Sequence, residues 1–132
     1  MKVIADTNVL LRLILGDNTS QGAAAAVMMQ TAEQVFISAH SLCELVWVLR
    51  PRPEMTRAEI ADVVRALAAT RNVAIDRPAV DAGLAMLDAG GDFADGVIAH
   101  DGQMLGGDVF VSFDKKAVKR LADIGVETRL LA

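Results

Sequence analysis

The fold is decided by the stretch Val3-Ile4-Ala5-Asp6-Thr7-Asn8-Val9-Leu10. A short apolar run ends at the acid Asp6, and a second apolar run, residues 9–15, follows with helical spacing. This pattern predicts a buried strand over residues 3–5 and a helix over about residues 8–15. In parallel α/β sheets, ligands bind outside the carboxyl ends of the strands. Asp6 therefore lies where a functional side chain is expected, although Asp is also a favoured helix N-cap.

Length and composition describe a small, apolar, globular chain. It has 132 residues, of which 53% are hydrophobic and 4% aromatic, which predicts one domain over residues 1–132 with an aliphatic core. Charged residues interrupt every apolar run well before the ~20 residues that a membrane span needs, and they also interrupt any signal peptide. The single cysteine, Cys43, excludes an internal disulfide, and there is no Cys/His zinc motif. These features predict a cytoplasmic protein with no membrane partner.

Charge is unevenly distributed along the chain. The net charge of −4 argues against non-specific coating of nucleic acid. Residues 115–120 nevertheless contain four bases and no acid, and residues 50–71 carry a weaker positive excess. An acidic chain with basic patches suits a protein that binds a cation and a polyanion together. A solvated helix face is the simpler explanation of such a run, and we prefer it for residues 50–71.

Strand and helix signals alternate along the chain. Strands are predicted over about residues 3–5, 35–38, 72–75, 109–113 and 126–131. Helices are predicted over about residues 8–15, 21–32, 41–50, 57–70, 79–88, 92–105 and 115–122. A turn is predicted at Gly16-Asp17-Asn18, and Thr56-Arg57-Ala58-Glu59 has the form of a capping box. This alternation predicts an α/β fold with a mostly parallel sheet.

Four acids lie directly after a predicted strand or in the first turns of a predicted helix. They are Asp6 after the first strand, Glu44 early in the third helix, Asp95 at the start of the sixth helix, and Asp114 after the fourth strand. Each has a structural explanation as a helix cap, including a capping box of the form Ser41-x-x-Glu44. Glu44 fits that explanation least, because its helix is otherwise apolar and no base is near it in sequence.

Several like charges at one edge of a sheet repel each other unless a cation lies among them. Carboxylates and water are the preferred ligands of hard cations such as Mg²⁺ and Mn²⁺. Such a cation binds a phosphate oxygen and activates a water, which is the chemistry of phosphodiester hydrolysis. No Ser/His/Asp or Cys/His arrangement competes with this interpretation. His40 and His100 have no partner at ligand spacing and receive no role. Asp92 is interpreted as part of the helix start, and the role of Asp101 stays open.

At these acids the chain resembles the PIN domains and, within them, the VapC-type toxins of toxin–antitoxin modules. The matching stretches are Val3-Ile4-Ala5-Asp6-Thr7-Asn8, Ser38-x5-Glu44-Leu45, Asp92-Phe93-Ala94-Asp95-Gly96-Val97-Ile98-Ala99 and Val111-Ser112-Phe113-Asp114-Lys115-Lys116. Each stretch alone is weak, but the four together, in this order and spacing, are specific. Gly96 departs from the pattern, which usually has alanine, and glycine is expected to loosen that helix start by ~1 kcal/mol.

The resemblance implies a three-layer α/β/α fold with a mostly parallel five-stranded sheet. It also implies an Mg²⁺- or Mn²⁺-dependent ribonuclease site at the four acids, Asp6, Glu44, Asp95 and Asp114, with Asn8 and Ser112 at polar positions that line it. The implied partners are RNA, a second copy of the chain, and a small VapB-like antitoxin that is disordered when free. DNA would be contacted only indirectly, through the antitoxin.

Lys115 and Lys119 belong to the basic patch that follows Asp114. Because this patch lies directly beside one of the four acids, we expect these two lysines to guide the RNA backbone toward the metal.

Three other interpretations compete with a metal nuclease. A haloacid-dehalogenase-type phosphatase also begins with an Asp after its first strand, but it needs a proton-donating Asp two residues later, where this chain has Asn8. A phospho-receiver domain needs paired acids after the first strand and a lysine after its last strand, and neither is present. The third alternative is a catalytically inactive PIN scaffold that serves as a binding or regulatory module. Loss of activity usually removes an acid, and all four are present.

Overall fold

A computed structural model of the chain describes residues 1–16 and 19–132. Within these residues the strands are β1 (Lys2–Ile4), β2 (Gln34–Phe36), β3 (Val73–Ala74), β4 (Phe110–Ser112) and β5 (Thr128–Leu130). The helices are α1 (Thr7–Leu15), α2 (Thr19–Thr31), α3 (Ala39–Leu49), α4 (Arg57–Ala69), α5 (Arg77–Asp88), α6 (Phe93–Met104) and α7 (Lys115–Asp123). The predicted turn at residues 16–18 falls partly outside the described residues. None of the described helices is long and apolar enough to cross a membrane.

The chain divides into two compact units, residues 1–76 and 77–132. In the first unit, β1, β2 and β3 pair in that order as a parallel sheet, with Val3 opposite Val35 and Val35 opposite Val73. Helices α1 to α4 supply most of its apolar core, whose fully buried side chains include Leu10, Val35, Leu45, Leu49 and Val64. At the edge of this sheet the Asn72 amide donates to the carbonyls of Met29 and Ala32, at 2.9 and 3.0 Å.

In the second unit, β4 and β5 form a parallel pair with Phe110 opposite Thr128. Helices α5 and α6 pack very closely, because both carry glycine at their contact. A Cβ on Gly83 would lie 2.6 Å from the Phe93 ring, and a Cβ on Gly96 would overlap the carbonyl of Ala82. Gly96 therefore permits the close packing of α6 against α5, and its effect is not only to loosen the helix start.

The α/β class, the five strands and their parallel pairing are confirmed. The prediction of one five-stranded sheet is corrected, since the strands form a three-stranded and a two-stranded sheet. Each strand is only two or three residues long. Each pairing joins two strands that are consecutive in the chain and connected by one or two crossover helices.

Helix boundaries follow the capping residues. The capping box predicted at α4 is present, because Glu59 N–H donates to Thr56 Oγ1 and Thr56 N–H donates to Glu59 Oε1. Helix α1 ends at Gly16, whose φ of 63° is left-handed. The third helix begins earlier than predicted, because Ser38 is its N-cap and accepts from Ser41 N–H at 3.1 Å. The structural alternative for Glu44, a capping box with Ser41, is therefore not present.

Candidate metal centre

Asp6 lies between β1 and α1, where its carboxylate caps the helix. Oδ1 accepts a hydrogen bond from Val9 N–H at 3.0 Å, and the backbone at Asp6 is extended, as an N-cap requires. The side chain is exposed. A carboxylate can accept through both oxygens, so a group that caps through Oδ1 still has Oδ2 for another ligand.

Glu44 lies in the second turn of α3, and it is neither buried nor isolated. Its side chain is 54% exposed, which overturns the expectation of a carboxylate strained by an apolar environment. Thr7 Oγ1 donates to Glu44 Oε1 at 3.2 Å, and His40 Nε2 is 3.1 Å from the same oxygen. This hydrogen bond from Thr7 links α1 to α3. It places Glu44 in contact with the residue that follows Asp6.

His40 thus has a partner, Glu44, that was not predicted from the sequence. The signal was present, since residues four apart on a helix are neighbours and His40 precedes Glu44 by four. Both contacts are made to Oε1, so they orient the carboxylate without using Oε2. Thr7 and His40 are the two contacts of this candidate acid that were not predicted from the sequence. His100 still has no assigned role.

Asp95 lies in the first turn of α6 and is half-buried. Burial raises the pKa of its carboxyl above the ordinary value, and the negative charges of Asp92 and Asp114 raise this pKa further. Asp92 is the N-cap of α6, and its Oδ1 accepts from Ala94 N–H at 3.2 Å. Asp92 is therefore a helix cap, as inferred from the sequence, and also a source of negative potential at Asp95.

Asp114 is the N-cap of α7. Its Oδ1 accepts from Lys116 N–H at 2.9 Å and from Ala117 N–H at 3.2 Å. Ser112 Oγ accepts from the backbone N–H of Asp114 at 3.0 Å. The hydroxyl of Ser112 thus contacts the backbone of Asp114, and its expected role in lining a site stays a prediction.

The other expected residues lie at the surface. Asn8 is exposed and lines an apolar groove of about 360 Å³ formed by β1, α1 and α2. In α7, Lys115 and Lys119 are exposed. Lys119 pairs with Asp123 at 3.1 Å, and Arg120 donates to the carbonyl of Ala89 at the end of α5. Part of the predicted basic patch is therefore occupied with contacts inside the unit.

The donor chemistry fits a hard divalent cation, because carboxylate oxygens are its preferred ligands and the negative charges of Asp92 and Asp114 act on Asp95. As the side chains stand, no group of three or more His, Cys, Asp or Glu within residues 1–16 and 19–132 is arranged to hold a metal ion. In the first unit the structure places Glu44 in contact with Thr7, the residue that follows Asp6. In the second unit the charges of Asp92 and Asp114 both act on Asp95.

The family model of the PIN domain matches residues 3–124. This match covers nearly the whole chain and spans both units, and the chain belongs to the PIN-domain family. PIN domains are typically metal-dependent nucleases that act on nucleic acids. A search of curated proteins found no match to this chain.

Proposed function

We propose that this chain is an Mg²⁺- or Mn²⁺-dependent endoribonuclease in which Asp6, Glu44, Asp95 and Asp114 bind the metal. The proposal treats residues 1–132 as one PIN domain. The observation that carries it is Asp95, a half-buried carboxylate whose pKa is raised by burial and by the charges of Asp92 and Asp114. A carboxylate kept in a negative field costs stability, and a divalent cation removes that cost.

Each of the four acids contributes in a defined way. Asp6 and Asp114 are fixed by helix capping through Oδ1, which leaves Oδ2 to face a ligand. Glu44 is oriented through Oε1 by Thr7 and His40. When bound, Mg²⁺ or Mn²⁺ would neutralise the charge of the phosphate and activate the attacking water. The caps and the Thr7 contact hold the carboxylates in place, so that little side-chain entropy is lost on binding.

RNA cleavage by the purified protein tests this function. We expect cleavage of RNA with Mg²⁺ or Mn²⁺, loss of cleavage in excess EDTA, and loss of cleavage on Asp95→Asn. Asp101→Asn is the matched control, because Asp101 is an exposed acid on the same helix. Undiminished cleavage in EDTA by both the parent and the Asp95→Asn variant would contradict the proposal. An inactive PIN scaffold would bind RNA without cutting it.

A finer proposal is that the chain is a VapC-type toxin that acts in the cytoplasm as a homodimer and is inhibited by a small VapB-like antitoxin. The four matching stretches around the acids support it. An Arg of the antitoxin could form charge-assisted pairs with carboxylates that otherwise bind metal. Expression of this chain alone should arrest growth, and co-expression with a short neighbouring reading frame should restore growth and co-purify both proteins. Normal growth and high yield without a partner would contradict the toxin role.

A further inference from the structure

His40 and Glu44 lie one turn apart on the same face of α3, and their side chains converge. His40 Nε2 is 3.1 Å from Glu44 Oε1, and 84% of the His40 side chain and 54% of the Glu44 side chain are exposed. From α1, Thr7 Oγ1 donates to the same carboxylate oxygen at 3.2 Å. An imidazole nitrogen and a carboxylate oxygen are therefore adjacent, and both side chains are open to solvent.

The distance between His40 Nε2 and Glu44 Oε1 is also the distance between two neighbouring ligand atoms of one metal ion. Metal–ligand bonds of about 2.1 Å at right angles to each other place the two ligand atoms about 3 Å apart. A neutral imidazole carries one proton on either of its nitrogens, so an ion can replace the proton at Nε2 while Nδ1 carries it instead. The pair therefore fits one ion with little movement of either side chain.

We infer that His40 is a further metal ligand, whose Nε2 binds the same ion as Glu44 and makes the site select Mn²⁺ over Mg²⁺. This inference rests on the proposed nuclease function, which leaves the choice between the two cations open. Mg²⁺ takes oxygen ligands and gives up its waters reluctantly, whereas first-row transition ions also accept imidazole nitrogen. For a site that contains nitrogen, affinity rises from Mn²⁺ through Co²⁺ to Ni²⁺.

The alternative role of His40 is to orient Glu44 through a hydrogen bond and nothing more. Loss of that hydrogen bond would weaken the binding of every cation alike, because each cation would bind through the same carboxylate. Loss of a nitrogen ligand would weaken the binding of transition ions and spare Mg²⁺. The exposure of both side chains favours the ligand role, since an exposed pair of this spacing contributes little to stability and an entering ion needs accessible ligand atoms.

Isothermal titration calorimetry of the full chain without a histidine tag, with Mg²⁺, Mn²⁺, Co²⁺ and Ni²⁺ in turn, separates these roles. His40→Ala should weaken Mn²⁺ binding by about 10-fold or more, a loss that even an outer-shell partner can cause. The loss should grow for Co²⁺ and Ni²⁺, and Mg²⁺ binding should stay parental. His40→Gln keeps an amide donor near Glu44 but has no imidazole, so it should behave like His40→Ala. His100→Ala removes the other histidine of the chain and is the matched control.

Three results of this titration would overturn the ligand role of His40. They are parental Mn²⁺ binding by His40→Ala, an equal loss of Mg²⁺ and Mn²⁺ binding, and restoration of Mn²⁺ binding by His40→Gln. Thermal unfolding in EDTA checks that the variants are folded, which the exposure of His40 leads us to expect.

Nuclear magnetic resonance gives a direct second readout, because the chain has only two histidines. Zn²⁺, which is diamagnetic and accepts imidazole, should shift the ring resonances of His40 and leave those of His100 unchanged. The spectrum of His100→Ala assigns the two sets. Ring resonances of His40 that do not shift at saturating Zn²⁺ would overturn the proposal.

RNA cleavage distinguishes a failure of this inference from a failure of the proposed function. If the parent cleaves RNA and His40→Ala keeps the parental ratio of Mn²⁺ to Mg²⁺ affinity, the ligand role fails and the nuclease function stands. If Mn²⁺ binds through His40 and the parent cleaves no RNA with any of these cations, the nuclease function fails and the ligand role stands. A parent that binds none of the four cations overturns both.

Discussion

Asp95 has the clearest electrostatic signature among the candidate acids. Its pKa in the folded protein is raised, chiefly by burial and further by Asp92 and Asp114. A raised pKa means that the folded state holds this proton more tightly than the unfolded state does. The resulting stabilisation is complete below the pKa of the unfolded chain and is lost as pH rises through the folded pKa. At neutral pH, ionised Asp95 therefore lowers the stability of the metal-free protein.

The Asp95→Asn variant should lack this pH dependence. In EDTA, the free energy of unfolding of the parent should fall relative to the variant as pH rises from the acid range to neutrality, and at neutral pH the variant should be equally or more stable. Urea denaturation at several pH values measures both. Asp101→Asn is the control and should follow the parent. A variant that is less stable than the parent at neutral pH would mean that Asp95 is a structural residue.

At the level of secondary-structure elements, the N-caps of α1 and α7, Asp6 and Asp114, are also proposed metal ligands. Asp114 caps α7 with two hydrogen bonds, and it is also a proposed metal ligand. Substitution by Asn keeps the capping oxygen, whereas substitution by Ala removes it. Asp114→Ala should cost about 0.5–2 kcal/mol of stability, while Asp114→Asn should cost little. Both should abolish cleavage.

Thermal unfolding and RNA cleavage of the two variants separate the roles of Asp114. If Asp114→Asn cleaves RNA like the parent while Asp114→Ala is merely unstable, Asp114 is only a cap.

The basic face of α7 yields a prediction that distinguishes its lysines. Lys119 is paired with Asp123, which offsets part of its charge. Lys115 is exposed at the start of the same helix, directly after Asp114. Lys115→Glu should weaken RNA binding and lower the slope of log K against log salt by roughly one. Lys119→Glu should have the smaller effect. Equal salt slopes for the parent and Lys115→Glu would make the basic face a solvated helix surface.

Local signals predicted the helices well. Capping is read from a few adjacent residues, so the box at Thr56 and Glu59 and the cap at Asp92 were visible in the sequence. The start of α3 was missed because Ser38 and Ser41 are both plausible caps, and only the hydrogen bond to Ser38 distinguishes them. Strand limits were predicted too long, since apolar residues such as Val109 and Phe113 continue past the ladder of β4.

At the scale of the whole molecule, the sequence predicted the class of fold but not how its strands are grouped. The pairing of strands depends on hydrogen bonds between residues far apart in sequence, which no local pattern encodes. The same limit applies to the acids: the sequence proposed four of them as metal ligands, but it did not predict the contacts of Glu44 with Thr7 and His40. From the sequence we expected Gly96 only to weaken the start of α6. Its role in packing could not be predicted, because its close neighbour, Ala82, lies on another helix.

We propose that Asp6, Glu44, Asp95 and Asp114 bind one kind of divalent metal. Thermal unfolding of the parent, Glu44→Gln and Asp95→Asn, each in EDTA and in Mn²⁺ or Mg²⁺, tests this metal binding. We predict that metal raises the melting temperature of the parent by mass action and that of the variants much less. In EDTA the variants should melt at the same temperature as the parent or higher. A parent that metal does not stabilise, with variants that melt lower in EDTA, would contradict the claim and reduce the four acids to structural residues.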